Sequence, residues 1–279
     1  MLALKGALGA MARTSSELLD ACVEAVRRGG AILAGRFTLP RTIERKGSID
    51  LVTDADRASE EAMVGFLRAR FPAAAILAEE SGEHSGSART ELRFFVDPLD
   101  GTTNYAHGLP HFAVTAGVAD PAGLSAGATL DPLRGDLFMA ARGAGAFLGG
   151  RRLTVSGCER LHDALLVTGF AYDSHLNAEY ALRVFGDFTS RAQSIRRFGS
   201  AALDLAYVAA GRFDGFWEER LRSWDVAAGI LMVREAGGMV SDLEGGDRML
   251  ETGNILAAPS TLFGPMLEVL RRHRDPPAR

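Results

Sequence analysis

Three stretches of the sequence end an apolar run, or begin a helix, with carboxylates. In FFVDPLDGTTNYAHG the apolar run closes at Asp97, turns through Pro98 and Leu99, and presents Asp100 just before Gly101, Thr102 and Thr103. LAEES puts Glu79 and Glu80 at the end of a second apolar run. SWDVAAG puts Asp225 in the first turn of an expected helix that Ser223 can cap. Hard divalent cations such as Mg²⁺ take oxygen ligands, typically one or two carboxylates with substrate phosphate and water, and a tight bend carrying two acids can supply them. The Leu99 carbonyl is a further oxygen at that bend. Gly101 and Thr102 open an expected short helix, whose free amides and positive dipole end favour a phosphate oxygen. Metal and phosphate would then meet at one place. Each stretch alone also has a plain reading. Asp-Pro-x-Asp-Gly is a run of common turn formers, Glu79 and Glu80 are solvated acids at a strand end, and Asp225 is a favourable charge at a helix N-terminus. Only their conjunction points to chemistry.

Other chemistries find little support. No nucleophile elbow or Ser/His/Asp grouping is present, and His107 and His111 sit in an apolar, Pro-containing loop as structural histidines. Trp217 and Trp224 are read as packing residues flanking Glu218 and Asp225. The two cysteines, Cys22 and Cys158, lack the spacing of a disulfide framework or thiolate zinc site, so a reducing, cytoplasmic setting is expected. Cys22 falls on the apolar face of a helix and should be buried and inert. A net charge of -4 over 279 residues gives no basic footprint for nucleic acid. No uncharged apolar run approaches the roughly 20 residues that span a bilayer, so no membrane partner is expected. The first twelve residues, MLALKGALGAMA, carry only Lys5 as a cation and read as a frayed leader, with Met11 an alternative start.

The elements that must position these acids follow from periodicity. Thr14 to Glu17 has the form of a capping box ahead of Leu18, Leu19, Val23 and Val26, predicting a first helix to about Arg36. A short extended piece then leads into a second helix, with Ala62, Met63, Phe66 and Leu67 on one side and Pro72 as its stop. The runs AAAIL and RFFV read as strands delivering acids at their ends. Residues 112 to 148 have the spacing of antiparallel strands and hairpins. From about residue 152 strands alternate with helices: ALLVTGF, a helix near 177 to 190, SIRRF, a helix from Ser200, DGFWE, a helix from Trp224, MVSDL, ILAAPS and a helix from about Leu262. HRDPPAR at the end is expected to be loose.

Five ordered motifs carry a family likeness: Lys46 before DLVTDAD, AEES at 78 to 81, DPLDGTTN at 97 to 104, FGSAALDLAYVAAGRFDGFWE at 198 to 218, and WDVAAG at 224 to 229. With these, nearly the whole chain resembles the inositol monophosphatase family of Mg²⁺-dependent, lithium-sensitive phosphatases. The resemblance implies an α/β fold, a layered αβαβα sandwich of the inositol monophosphatase and fructose-1,6-bisphosphatase type, usually a homodimer. An N-terminal half, 1-150, would carry most metal ligands. A C-terminal half, 151-279, would carry Asp225 and the substrate-recognition residues. By the same resemblance Glu79, Asp97 and the Leu99 carbonyl hold one Mg²⁺, Asp97, Asp100 and Asp225 a second, with Asp97 bridging and two or three ions per subunit. Asp56 with Thr102 would orient and deprotonate the attacking water, with Glu79 also counted among the catalytic acids. The Gly101 and Thr102 amides would bind phosphate, and Lys46 would add an electrostatic and metal-shell contact. Glu218 would accept a hydrogen bond from a sugar or inositol hydroxyl, with Asp100 and Ala201 nearby.

Two departures stand out: Ala78 replaces a frequent Gly before the Glu pair, and the loop around Lys46 is one residue shorter than in animal members. Thr103 and Asn104 look like inositol monophosphatases, which favours a polyol phosphate such as myo-inositol 1-phosphate. The alternatives are a broader sugar phosphatase, including fructose 1,6-bisphosphatase activity, or a histidinol-phosphate phosphatase. A regulatory partner of the transcription machinery is the non-enzymatic alternative.

Overall fold

The computed structural model describes residues 2–39, 42–45, 51–86, 91–171 and 178–273, with the backbone alone for 2–14 and 45. In chain order, helix α1 (Leu2–Arg36) precedes a short antiparallel pair, β1 (Ile43–Arg45) and β2 (Leu51–Thr53), and helix α2 (Asp54–Arg70). Strands β3 (Ala75–Ala78), β4 (Gly82–His84) and β5 (Arg93–Asp100) lead to the short helix α3 (Thr102–Ala106). A meander follows: β6 (Ala113–Asp120), β7 (Gly123–Asp131), β8 (Asp136–Ala141), β9 (Gly145–Leu148) and β10 (Arg151–Arg152). The remainder alternates: β11 (Leu165–Thr168), α4 (Glu179–Arg191), β12 (Ser194–Arg196), α5 (Ala201–Ala209), β13 (Gly215–Glu218), α6 (Ser223–Glu235), β14 (Met239–Ser241), α7 (Met249–Thr252), β15 (Ile255–Ala258) and α8 (Ser260–His273).

Two larger sheets result. The first has eight strands in the order β10-β9-β8-β7-β6-β5-β3-β4, and only its β3–β5 pairing is parallel. The second has five strands in the order β12-β11-β13-β15-β14, with β11 parallel to both of its neighbours. Hydrophobic burial stacks them into layers. Leu18, Val26 and Met63 of α1 and α2 pack on Val96, Val114 and Val118 of the eight-stranded sheet. Leu205 and Met232 of α5 and α6 lie between Phe138 of that sheet and Phe216 and Ala257 of the other. Val184, Phe188, Met266 and Leu270 of α4 and α8 cover the far face against Trp217 and Leu256. The order α, β, α, β, α is the expected sandwich.

The middle layer explains its own composition. Every residue of α5 is buried, as is every residue of α6 from Val226 to Val233, so neither helix can have a polar stripe. Small residues let α6 lie directly on the sheet. A Cβ at Gly117 would come within 2.9 Å of the Ala227 Cβ, and one at Gly127 within 2.7 Å of the Ala228 Cα. On its other side, a Cβ at Gly229 would stand 2.6 Å from the Leu205 Cβ of α5.

Several local expectations are corrected. Helix α1 runs unbroken through residues 14 to 17, so the proposed capping box there does not start it. The preceding Ala, Leu, Lys and Met residues are strong helix formers with no proline, and the helix extends into them. A real cap of this kind sits at Thr53, whose hydroxyl accepts from the Ala55 amide at 3.2 Å while Asp56 Oδ2 accepts from the Thr53 amide at 2.9 Å. Ser223 is the first residue inside α6, and the cap position is Arg222, whose amide donates to Asp225 Oδ2 at 2.7 Å. The short helix α7 was not expected from the sequence. Lys46 and the tail from residue 274 lie outside the described residues. Cys22 is fully buried, and burial pushes its thiol up to about 12, in keeping with an inert side chain. Trp217 is a packing residue, its ring 4.2 Å from that of Phe188. No described helix is long and apolar enough to cross a membrane.

Candidate active site

The bend at the end of β5 is shaped by a bulge. Asp97 pairs with Thr115 and Asp100 with Ala113, so three steps on β5 oppose two on β6. In a regular strand residues three apart point to opposite faces. One inserted residue restores the side, and the Asp100 charge acts on Asp97 accordingly. Asp97 is 2% exposed, and its Oδ1 accepts from the Leu99 amide at 2.9 Å, which closes the turn over Pro98. Asp100 Oδ2 accepts from the Ser200 hydroxyl and from the Ala202 amide at 2.8 Å, tying the bend to the start of α5 across a hundred residues of chain. Ala201, expected beside the substrate, is the first residue of α5, and its amide also faces Asp100.

Asp56 and Thr102 do come together. Thr102 Oγ1 stands 3.2 Å from Asp56 Oδ1 and 3.0 Å from the Leu99 carbonyl, and its single proton is shared between them. Asp56 is fully buried near the start of α2 and accepts from both the amide and the hydroxyl of Thr53. Burial raises its carboxyl to about 6 against the lowering effect of these donors. Gly101 takes φ 94°, a left-handed conformation that favours glycine, and its α-carbon faces the Gly199 and His111 carbonyls, where a Cβ would stand 3.1 and 3.3 Å away. This turn starts α3, with the Thr102 and Thr103 amides at its first turn.

Glu79 follows β3, its amide donating to the Val96 carbonyl at 3.2 Å, so the ends of β3 and β5 are held side by side. Asp225 arrives from α6 on the opposite side. The carboxyls influence one another: burial raises Asp97 well above its usual range, and the charges of Glu79, Asp100 and Asp225 add to it. Asp100 is raised to about 6, chiefly by burial. Asp225 is raised well above its usual range, first by burial and then by Asp100. Among the described residues no three His, Cys, Asp or Glu side chains are already spaced to close on one ion. The donors nevertheless suit a hard dication by kind. They are all oxygen, largely buried and mutually repelling, and a cation such as Mg²⁺ would remove the cost of keeping them ionised. Beside Glu79 opens a cleft of about 720 Å³, lined by Val52, Arg57, Glu60, Glu80 and His84 among others.

Glu218 ends β13 at 8% exposure, and burial pushes it up to about 8 although the Arg197 charge opposes this. Sequence reasoning missed its neighbour Asp204. That side chain is 1% exposed on α5, neither carboxyl oxygen has a hydrogen-bond partner among the described residues, and burial with the nearby Glu218 charge raises it strongly. The signal was available: Asp204 is the one acid in the otherwise apolar run AALDLAYVAAG. Ser59, Glu60, Thr53 and Ser200 were missed as well. Ser59, Glu60 and Ser200 each make a contact that only the folded chain brings about, whereas Thr53 acts locally as the cap three residues before Asp56. His111 stays structural, its ring 5.0 Å from that of Phe198 and its carbonyl accepting from Asn104 Nδ2 at 2.8 Å.

Comparison with known proteins agrees with the fold. The model of the inositol monophosphatase family matches residues 14–274. Nus factor SuhB of Salmonella typhimurium is 43% identical over 256 residues, covering 91% of this chain and 96% of that protein. The crystal structure of extragenic suppressor protein suhB from Bartonella henselae superposes with a TM-score of 0.87 at 40% identity, covering 92% of this chain and 99% of that one. Inositol monophosphatase from Anabaena (Nostoc) sp. PCC 7120 gives 0.83 at 38% identity, with 92% and 96% covered. With matches over nearly its full length and the same fold, the chain belongs to the inositol monophosphatase family.

Proposed function

We propose that this chain is a Mg²⁺-dependent phosphomonoesterase of polyol phosphates, with myo-inositol 1-phosphate as its substrate. The observation that carries this reading is Asp97, an acid 2% exposed on which the charges of Glu79, Asp100 and Asp225 all act. Glu79, Asp97 and the Leu99 carbonyl would hold one ion and Asp97, Asp100 and Asp225 another. Lys46, beyond the described residues, would add a charge at their edge. Bound Mg²⁺ lowers the pKa of water and neutralises charge on the phosphate and the leaving oxygen.

The protein's own groups supply the rest. Asp56, at about 6, is ionised at neutral pH and takes the proton of the attacking water, with the Thr102 hydroxyl between them fixing direction. The water oxygen bonds to phosphorus as the bond to the polyol oxygen breaks. The departing alkoxide is then protonated from solvent. The Gly101 and Thr102 amides hold the phosphate oxygens, while Glu218, beside Ala201 and Asp100, meets a hydroxyl of the polyol. In this reading residues 1-150 hold most of the metal ligands, residues 151-279 recognise the substrate, and the enzyme is a lithium-sensitive homodimer.

The test is phosphate release from myo-inositol 1-phosphate, fructose 1,6-bisphosphate and histidinol phosphate, each with Mg²⁺, without it, and with Li⁺. Highest kcat/KM on the inositol ester, lost without Mg²⁺ and depressed by Li⁺, is expected. Preference for either other ester would overturn the substrate, and turnover unaffected by metal removal would overturn the mechanism.

A second role, as a partner of the transcription machinery, is favoured by one observation: the Salmonella relative is a Nus factor. Asp97→Asn separates the two, because a cellular phenotype that survives loss of turnover belongs to binding.

A further inference from the structure

Helix α2 buries three polar side chains on one face, Asp56, Ser59 and Glu60, spaced as residues that share a side of a helix. Each reaches a different part of the site. Asp56 meets Thr53 and Thr102. Ser59 Oγ donates to the Pro98 carbonyl at 2.9 Å, inside the bend between Asp97 and Asp100. Glu60, 4% exposed, accepts from two successive amides with its two oxygens: Glu80 N at 2.7 Å on Oε2 and Ser81 N at 2.8 Å on Oε1.

We infer that Glu60, assisted by Ser59, is a positioning residue for the metal centre: α2 is the template that fixes the Glu79 turn and the Asp97–Asp100 bend relative to each other. This rests on the reading of Glu79 and Asp97 as metal ligands. Three observations carry it. A buried carboxylate is costly unless it is hydrogen-bonded, and these two amides are the donors that hold it. The amides belong to the two residues right after Glu79, so the clamp fixes the Glu79–Glu80 peptide plane, which adjoins the α-carbon bearing the Glu79 side chain, and the plane that follows it. Helix α1 also leaves room for the arrangement, since a Cβ at Gly29 would stand 2.5 Å from Ser59 Oγ and 2.8 Å from the Met63 sulfur. Pairing with β5 reaches only the Glu79 amide, on the Val96 carbonyl at 3.2 Å, and β3 ends at Ala78, so the residues after it take their position from the clamp.

Groups that orient metal ligands from behind typically cost about 10–100-fold in metal affinity when removed. The experiment measures Mg²⁺ and Mn²⁺ binding to the full-length chain by calorimetry, beside phosphate release against Mg²⁺ concentration and melting of the metal-free protein. Glu60→Ala should weaken the binding constant by roughly 10–100-fold. Its loss of turnover should shrink as Mg²⁺ is raised, with KM for the phosphate ester unmoved. Glu60→Gln keeps the shape and one acceptor oxygen, so its loss should be smaller; it also serves if the alanine variant fails to fold. Ser59→Ala should fall between parent and Glu60→Ala. A merely structural role would lower the melting temperature and leave the metal constant unchanged, which would overturn the inference. Parent-like binding in both Glu60 variants while Glu79→Gln loses the ion would overturn the positioning role alone. Parent-like binding in Glu79→Gln and Asp97→Asn would overturn the ligand reading, and this inference with it.

Discussion

The two walls of the site hold their acids by different physics. On the wall made by β5 and α2, the buried acids answer to named donors: Asp56 to Thr53 and Thr102, Asp97 to Leu99, Asp100 to Ser200 and Ala202, Glu60 to two amides. On the wall made by α5 and β13, Asp204 has no such partner among the described residues, and Glu218 is pushed up to about 8 by burial. Burial raises the acids of both walls, Asp97 included, but on the first wall donors oppose the rise and aim the carboxylates, and a bound cation would keep them ionised. The first wall is therefore set for charge chemistry. The second presents neutral polar groups beside the place where a polyol would lie.

The sharpest challenge to this contrast is Asp97→Asn. It should abolish phosphate release while leaving the metal-free protein at least as thermally stable, since it removes a buried, repelled charge; a variant that keeps substantial turnover would break the charge-chemistry side. Asp56→Asn comes next, with an expected loss of about 10²–10⁴-fold in kcat. The parent's kcat should also fall as pH drops through about 6, where Asp56 takes up a proton. A flat profile in the parent would remove Asp56 from its role.

The second wall is tested by stability. Glu218 is raised from 4.5 to about 8 in the fold, so between those values the folded chain binds more protons than the unfolded one, and stability falls as pH rises. Other raised acids slope the same way, so the informative quantity is the difference between parent and Glu218→Gln, both metal-free. The glutamine variant should gain on the parent by a few kcal/mol across that window; parallel curves would mean that Glu218 ionises freely. The smallest effect concerns recognition. Glu218→Gln should raise KM for inositol 1-phosphate by no more than about threefold, since a neutral carboxyl and an amide both offer an acceptor oxygen, and hardly change it for a plain aryl phosphate.

How much of this the sequence revealed depends on the range of the contact. Acids ending apolar strands were legible, because Pro98, Gly101 and the alternation around them are local signals. The change of period near residue 152 was legible as a second α/β half, whereas the layer order was reached through family likeness. The bulge between Asp97 and Asp100 was not legible, since it exists only as a mismatch with β6. Glu60 looked like any acid on a helix surface until the fold set it against amides some twenty residues away. Thr14 and Glu17 matched a capping pattern that the continuing helix overrides, while the working cap at Thr53 went unread. Ala201 and Glu218 were reached through family likeness, because the apolar helix and strand that carry them give no local sign of a ligand.

The glycine seam beneath α6 has a consequence for mass action. Asp225 rides on a helix wedged between both sheets, with Gly117 and Gly127 against one side and Leu205 against Gly229 on the other. An ion held partly by Asp225 and partly by β5 binds only when that wedge is in place, so its free energy adds to the global unfolding of the chain and not to one loop. At a concentration a hundred times its dissociation constant, it would contribute about 2.7 kcal/mol. If the proposed ligands hold such an ion, the surrounding concentration of free cation would set how much of the protein stays folded as well as how fast it turns over.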